Sequence, residues 1–146
     1  MENIEHKTIT IVNGNIIEDS EDTFNIIVKG VFKDRVQLKI ITTGIAEELF
    51  TIADTNLFDL FIITLNNLNY SYSYNSRDPF SLIRALNVFY QKPIFVLSGP
   101  HFKGYPTEQL IASGASEHLV LPFSPIKFAN AFARCTDLEE IELPND

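Results

Sequence analysis

Few side chains in these 146 residues could do acid–base, metal or nucleophilic chemistry, and their spacing limits them further. His6, His101 and His118 lie far apart with no metal-ligand spacing, so no zinc site is expected. The single cysteine, Cys135, continues an apolar stripe with Phe128, Ala131 and Phe132, and reads as a small buried hydrophobe rather than a redox thiol. An enzyme needs a nucleophile, a base and an orienting group, or paired carboxylates, converging on one place. No such set is visible, and the chain does not read as an enzyme. What remains are neutral groups at the ends of apolar runs: Asn13, Gly14, Thr43, Thr64, Ser98 and Leu121. Amides and hydroxyls of this kind can position hydrogen bonds. Backbone amides of Asn13-Gly14-Asn15 could also hold a small anion or nucleotide, although no Gly-rich phosphate loop accompanies them.

The elements that must position these groups alternate in type. Thr8–Val12 (TITIV) reads as a strand closed by the turn-former Asn13-Gly14. Phe24, Ile27, Val28, Val31 and Phe32 recur at helical spacing behind an acidic start. Val36, Leu38 and Ile40 alternate with Gln37 and Lys39, as in a half-exposed edge strand, and Ile45, Leu49 and Ile52 suggest a second helix. The unbroken runs Leu60–Ile63 and Pro93–Leu97 are expected of central parallel strands covered on both faces. Between them lie a polar loop, Asn66–Asp78, and a helix opened by the N-cap Asp78 and Pro79, with Leu82, Ile83, Leu86 and Phe89 on one face. A loop from Ser98 to Tyr105 leads to a short helix through Leu110 and Ile111 that ends at Gly114. Leu119–Leu121 reads as the last strand, and Ser124-Pro125 starts the last helix. Strict β-α alternation requires an α/β doubly wound parallel sheet with right-handed crossovers, and ligand chemistry then sits beyond the C-terminal ends of the strands.

Composition and charge exclude several functions. One domain is expected, with a core over about residues 7–135 and an acidic tail, 136–146. One cysteine permits no internal disulfide, and no apolar run approaches the ~18 residues of a membrane span, so a cytoplasmic protein with no membrane role is expected. The net charge of −8 is concentrated in Glu18, Asp19, Glu21 and Asp22 and in Asp137, Glu139, Glu140, Glu142 and Asp146. The remaining charges balance to within one. No basic stripe is available to displace counterions from a duplex, so nucleic acid is not an expected partner. Tyr70, Tyr72 and Tyr74 alternate in the polar loop and are candidate anchors for a protein partner.

Three stretches carry a family likeness. FDLFIITLNN (Phe58–Asn67), KPIFVLSG (Lys92–Gly99) and SGASEHLVLPFSP (Ser113–Pro125) resemble, in order and spacing, motifs of the receiver domains of bacterial two-component response regulators, chemotaxis regulators included. The resemblance covers residues 7–135 and implies the flavodoxin-like (βα)5 receiver fold with strand order 2-1-3-4-5. It also implies which positions would carry chemistry. The two metal-binding acids after the first strand correspond to Asn13 and Gly14. The phosphoryl-accepting aspartate corresponds to Thr64, the hydroxyl residue of the fourth strand to Ser98, the lysine before the proline to Leu121, and the switch aromatic to His118.

These departures share one chemical sense. A hard divalent ion is held by carboxylates, a threonine hydroxyl without base or metal is a weak nucleophile, and a lysine with no anion to bind would only be desolvated. Acids, acceptor and lysine are lost together, which describes a degenerate phosphorylation pocket with no metal and no cofactor. The expected function is a stand-alone pseudo-receiver that binds signalling proteins, or a second copy of itself, without phosphorylation. The resemblance places the contact on the face of the fourth helix, fifth strand and fifth helix, with Leu110, Ile111, His118, Phe128 and Phe132 as candidate contacts. Two alternatives remain open: a flavodoxin-like switch for a small anion or nucleotide, and a receiver phosphorylated through surrogate residues. Singly, Thr64 reads as a hydroxyl satisfied by nearby backbone, Ser98 as a strand-end hydroxyl, and His118 as a surface group on a strand rather than a pH-sensitive switch near its ordinary pKa of about 6.5.

Overall fold

A computed structural model describes residues 7–15, 20–65, 79–99 and 106–138. The polar loop with Tyr70, Tyr72 and Tyr74, the N-cap Asp78 and most of the acidic tail lie outside the described residues. Five strands and five helices alternate: β1 (Lys7–Gly14), α1 (Ser20–Phe32), β2 (Val36–Thr43), α2 (Ala46–Thr55), β3 (Leu60–Thr64), α3 (Pro79–Tyr90), β4 (Ile94–Ser98), α4 (Thr107–Ser113), β5 (Glu117–Val120) and α5 (Pro125–Thr136). A single 3-10 turn, Lys33–Arg35, joins α1 to β2. The strands form one parallel sheet in the order β2-β1-β3-β4-β5. This is the doubly wound arrangement expected from the alternation and the receiver-like motifs.

Side-chain parity divides the core into two layers. Ile9, Ile11, Leu60, Ile62, Phe95 and Leu97 face α1 and α5, where Phe24, Phe32, Phe128 and Phe132 meet them. The alternate residues Val12, Phe61, Ile63, Ile94 and Val96 face α2, α3 and α4 through Leu49, Leu82, Leu86 and Leu110. Both faces of β3 and β4 are therefore covered, which is why these strands read as continuous apolar runs. Phe128 centres the first layer, with ring centroids 5.2 Å from Phe24, 5.1 Å from Phe95 and 5.4 Å from Phe123.

Two boundaries differ from the sequence expectation. Asn13-Gly14 is not a turn: both residues belong to β1 and pair with Thr42 and Thr43 of β2. The ladder on β2 holds them extended, which outweighs the local turn preference of Asn-Gly. The last strand is Glu117–Val120 rather than Leu119–Leu121, so Leu121 lies just beyond it. Polar Glu117 can start the strand because Arg134 of α5 pairs with its carboxylate at 2.6 Å.

Candidate functional site

The strand ends bring together most of the residues singled out above. Asn13 and Gly14 close β1, Thr64 closes β3, Ser98 closes β4, and the Leu121 amide donates to the Ser98 carbonyl at 2.8 Å. Asn13 is fully buried. Its Nδ2 donates to Ser20 Oγ at 2.9 Å and to Thr42 Oγ1 at 3.2 Å, while Thr42 Oγ1 donates to Glu21 Oε2 at 2.6 Å. The carboxylate accounts for the single hydroxyl proton of Thr42, so that oxygen acts as acceptor toward Asn13, and the amide orientation follows. Asn13 Oδ1 then points away and meets no donor among the described residues.

Two residues further along the same face, Asn15 Nδ2 donates to Thr64 Oγ1 at 3.2 Å, and the Asn15 amide continues the β2 contact by donating to the Thr43 carbonyl at 2.9 Å. The Asn15 side chain, considered in the sequence only for its backbone amide, is thus the group that reaches the Thr64 hydroxyl. The two-residue period from Asn13 was the signal for it.

Among the described residues, carboxylates flank this centre without entering it. Glu21 is held by Thr42, and Glu48 accepts from Thr43 Oγ1 at 2.7 Å. Both stand in the first turns of helices, where the helix dipole favours them. Among the described residues, a divalent ion at the end of β1 and β3 would meet one amide oxygen, from Asn13, and a Thr64 hydroxyl already engaged by Asn15. These described donors lack the carboxylate oxygens that normally bind magnesium. No cluster of three His, Cys, Asp or Glu side chains suited to a metal occurs among the described residues.

A second hydrogen-bonded set lies on the α4 side of the sheet. His118 pairs with Val96 across β4 and β5, which places its ring diagonally beside Ser98 on the same face. Its Nε2 is 2.7 Å from Ser98 Oγ and its Nδ1 is 2.7 Å from Thr107 Oγ1, the first residue of α4. Burial pulls the imidazole below its ordinary pKa, so the ring favours its neutral form. One hydroxyl then donates to the ring and the other accepts from it. His118 is therefore half-buried and doubly bonded rather than a surface group on a strand. The connectivity is that of a nucleophile, a base and an orienter, but Ser98 is 2% exposed and the orienter is a neutral hydroxyl. The set acts as a strut joining β4, β5 and α4.

The candidate contact face needs correction. Leu110, Phe128 and Phe132 are 0% exposed and form part of the two core layers. The apolar stripe that docks α4 and α5 on the sheet cannot also face outward. Ile111, at 44%, and Val120, at 48%, are the apolar residues that the fourth helix and fifth strand present to solvent. Val120 is not among the five candidate contacts; it ends β5, whose other residues are half-buried. Cys135 is half-buried, and its burial, with Glu117 adding to it, pushes the thiol up to about 12. No helix among the described residues is long and apolar enough to cross a membrane.

Comparison with known proteins places this geometry in a well-populated fold. No family model matches the chain, and no curated protein matches it by sequence. Solved structures do. The chain is similar to the chemotaxis response regulator CheY4 of Vibrio cholerae, with TM-score 0.64 and 17% identity over 88% of this chain and 99% of that one. A response regulator from Thermotoga maritima gives TM-score 0.62 and 18% identity over 90% and 99% of the two chains. The receiver domain of the sensor histidine kinase PA1611 of Pseudomonas aeruginosa, solved with magnesium coordinated in its active-site cleft, gives TM-score 0.64 and 12% identity over 90% and 99%. The chain has the fold of response-regulator receiver domains.

Proposed function

We propose that this receiver-fold chain is a protein–protein interaction module of two-component signalling that works without aspartyl phosphorylation. One observation carries the reading: Thr64 stands at the end of β3, where the resemblance puts the acceptor aspartate, and its hydroxyl is engaged by Asn15. No carboxylate ends β1 or β3, so neither acyl-phosphate formation nor magnesium binding has its usual group. Leu121 offers no cation to a phosphoryl oxygen. A small anion is disfavoured as well, because Asn13 Oδ1, a buried atom that meets no donor among the described residues, is an acceptor. No catalysis is assigned to the chain.

Signalling by such a module rests on contact. The exposed face of α4 and β5, with Ile111 and Val120, is the surface assigned to a protein partner or a second copy. The direct test is an amide NMR titration with Mg²⁺ and then beryllofluoride. Unchanged resonances at Asn13, Asn15, Thr64, Ser98 and Leu121 are expected. Saturable shifts clustered there would establish a working phosphorylation switch using surrogate residues and would overturn the reading.

A further inference from the structure

The end of the sheet opposite the pocket carries a basic corner in an otherwise acidic molecule. Where α1 passes into β2, Val31, Phe32, Lys33, Asp34 and Arg35 line a groove of about 470 Å³. Lys29, Lys33 and Arg35 are exposed around it, and Lys33 has a left-handed backbone, φ 56°, that forms the turn. None of these three cations takes part in the Arg134–Glu117 ion pair, the one found among the described residues.

Helix α5 ends at the same end of the sheet. Lys7 Nζ donates to the Thr136 carbonyl at 2.7 Å, which fixes the helix end at the start of β1, the strand that pairs with β2, and Thr136 and Asp137 line a cleft there with Lys7, Asp59 and Pro93. Asp137 takes a left-handed φ of 58°, and the Leu138 amide donates to the Ala133 carbonyl at 3.0 Å, a helix-ending turn that bends the chain back across α5. Leu138 packs on the same α1–α5 cluster as Val31 and Phe32, and the Phe32 and Phe132 rings lie 6.2 Å apart. The chain therefore leaves its described part on the α1–α5 layer that also carries Val31 and Phe32.

The sequence that follows complements the corner. Glu139–Asp146 (EEIELPND) contains Glu139, Glu140, Glu142 and Asp146 with no Lys or Arg, and two apolar residues, Ile141 and Leu143. Extended, such a segment reaches about 27 Å, ample to cross a helix roughly 10 Å wide.

We propose that Glu139–Asp146 docks in cis in the groove at the α1–β2 corner, its carboxylates against Lys29, Lys33 and Arg35 and its apolar residues against Val31 and Phe32. Attachment at Leu138 gives the segment a millimolar-range effective concentration that a free acidic peptide lacks. The net charge of −8 opposes delivery of the same segment by a second copy. The segment thereby occupies the basic corner from within the chain.

The experiment uses the full chain with a nitroxide on Asp146→Cys. Cys135→Ser in the same chain leaves the introduced thiol as the sole labelling site. The expected result is at least a halving of amide intensity over residues 31–35, unchanged when labelled chain is diluted into unlabelled chain observed separately. The broadening should be lost in Lys33→Glu/Arg35→Glu and reduced at 1 M salt, where the screening length is about 3 Å. Ile141→Asp should weaken it too. Absence of broadening at residues 31–35, or broadening centred elsewhere, overturns the proposal. Broadening of isotope-labelled chain by a separate nitroxide-labelled copy also overturns it, in favour of docking between copies.

Discussion

Ser98 Oγ and His118 Nε2 lie 2.7 Å apart, so the last residue of β4 is tied to the middle of the edge strand β5 by a side-chain bond, and Thr107 extends that bond to α4. Removing the ring leaves a buried Ser98 hydroxyl without this partner. His118→Phe is expected to cost about 1–3 kcal/mol, read as a lower urea midpoint, with faster amide exchange in α4. An unchanged midpoint would show that the strut contributes nothing.

The same histidine gives stability a pH dependence of defined sign. Burial lowers the His118 pKa in the folded chain below its ordinary 6.5, so the unfolded chain binds the proton more readily. Its stabilising contribution is complete above pH 6.5 and is lost as pH falls from there through the lower, folded-state value. The thermal midpoint should therefore drop on going from pH 8 toward pH 5, and part of that drop should vanish in His118→Gln. Equal pH profiles for wild type and variant would contradict the assignment.

Two glycines should respond in opposite directions to alanine. Gly114 ends α4 with φ 124°, and a Cβ there would stand 2.7 Å from Asn87 Cβ. Gly114→Ala is expected to destabilise by about 1–3 kcal/mol. Gly30 lies inside α1 with nothing within 4 Å of an added Cβ, so Gly30→Ala should stabilise by about 0.5–1 kcal/mol. Chemical denaturation of both variants checks the pair.

Contact residues and core residues should separate cleanly. Ile111→Asp and Val120→Asp are expected to keep stability within about 0.5 kcal/mol of wild type and to abolish capture of a signalling partner. Phe128→Ala, in the α1–α5 layer, should cost about 3–5 kcal/mol. Exposed-site variants that retain every partner would move the interface elsewhere.

Restoring a single acid should not restore metal binding. Thr64→Asp introduces a carboxylate at a position that is 2% exposed and has the amide of Asn15 as its neighbour. With Asn13 and Gly14 unchanged, Mg²⁺ titration of this variant should still give no saturable shift. Tight magnesium binding by the single variant would mean that nearby Glu21 or Glu48 can reorient into the pocket.

Much of the fold was legible because side-chain period and core layers coincide. Leu60–Ile63 and Pro93–Leu97 could be read as buried strands since both faces are covered, and the stripes Phe24–Phe32 and Phe128–Cys135 announced the helices that cover one face. Less visible was any feature decided by a neighbour distant in sequence. Pairing with β2 held Asn13-Gly14 in a strand, Arg134 let Glu117 begin one, and Ser98 with Thr107 drew His118 inward. The candidate face failed for a related reason: period alone marks an apolar stripe but does not say that the sheet claims it, as it does for Leu110, Phe128 and Phe132.

The two outer strands bear on how the protein behaves at high concentration. Among the described residues, a parallel sheet in the order β2-β1-β3-β4-β5 leaves one flank of β2 and one of β5 without a neighbouring strand, the usual route to strand addition between molecules. On β2, Lys39 and Gln37 point into solvent, and a charge would be trapped in any sheet extended there. On β5 only Glu117–Val120 are available, and Pro122, which lacks an amide hydrogen, follows almost at once. Each border thus carries a feature that works against strand addition between molecules, an exposed lysine on β2 and short length with a following proline on β5.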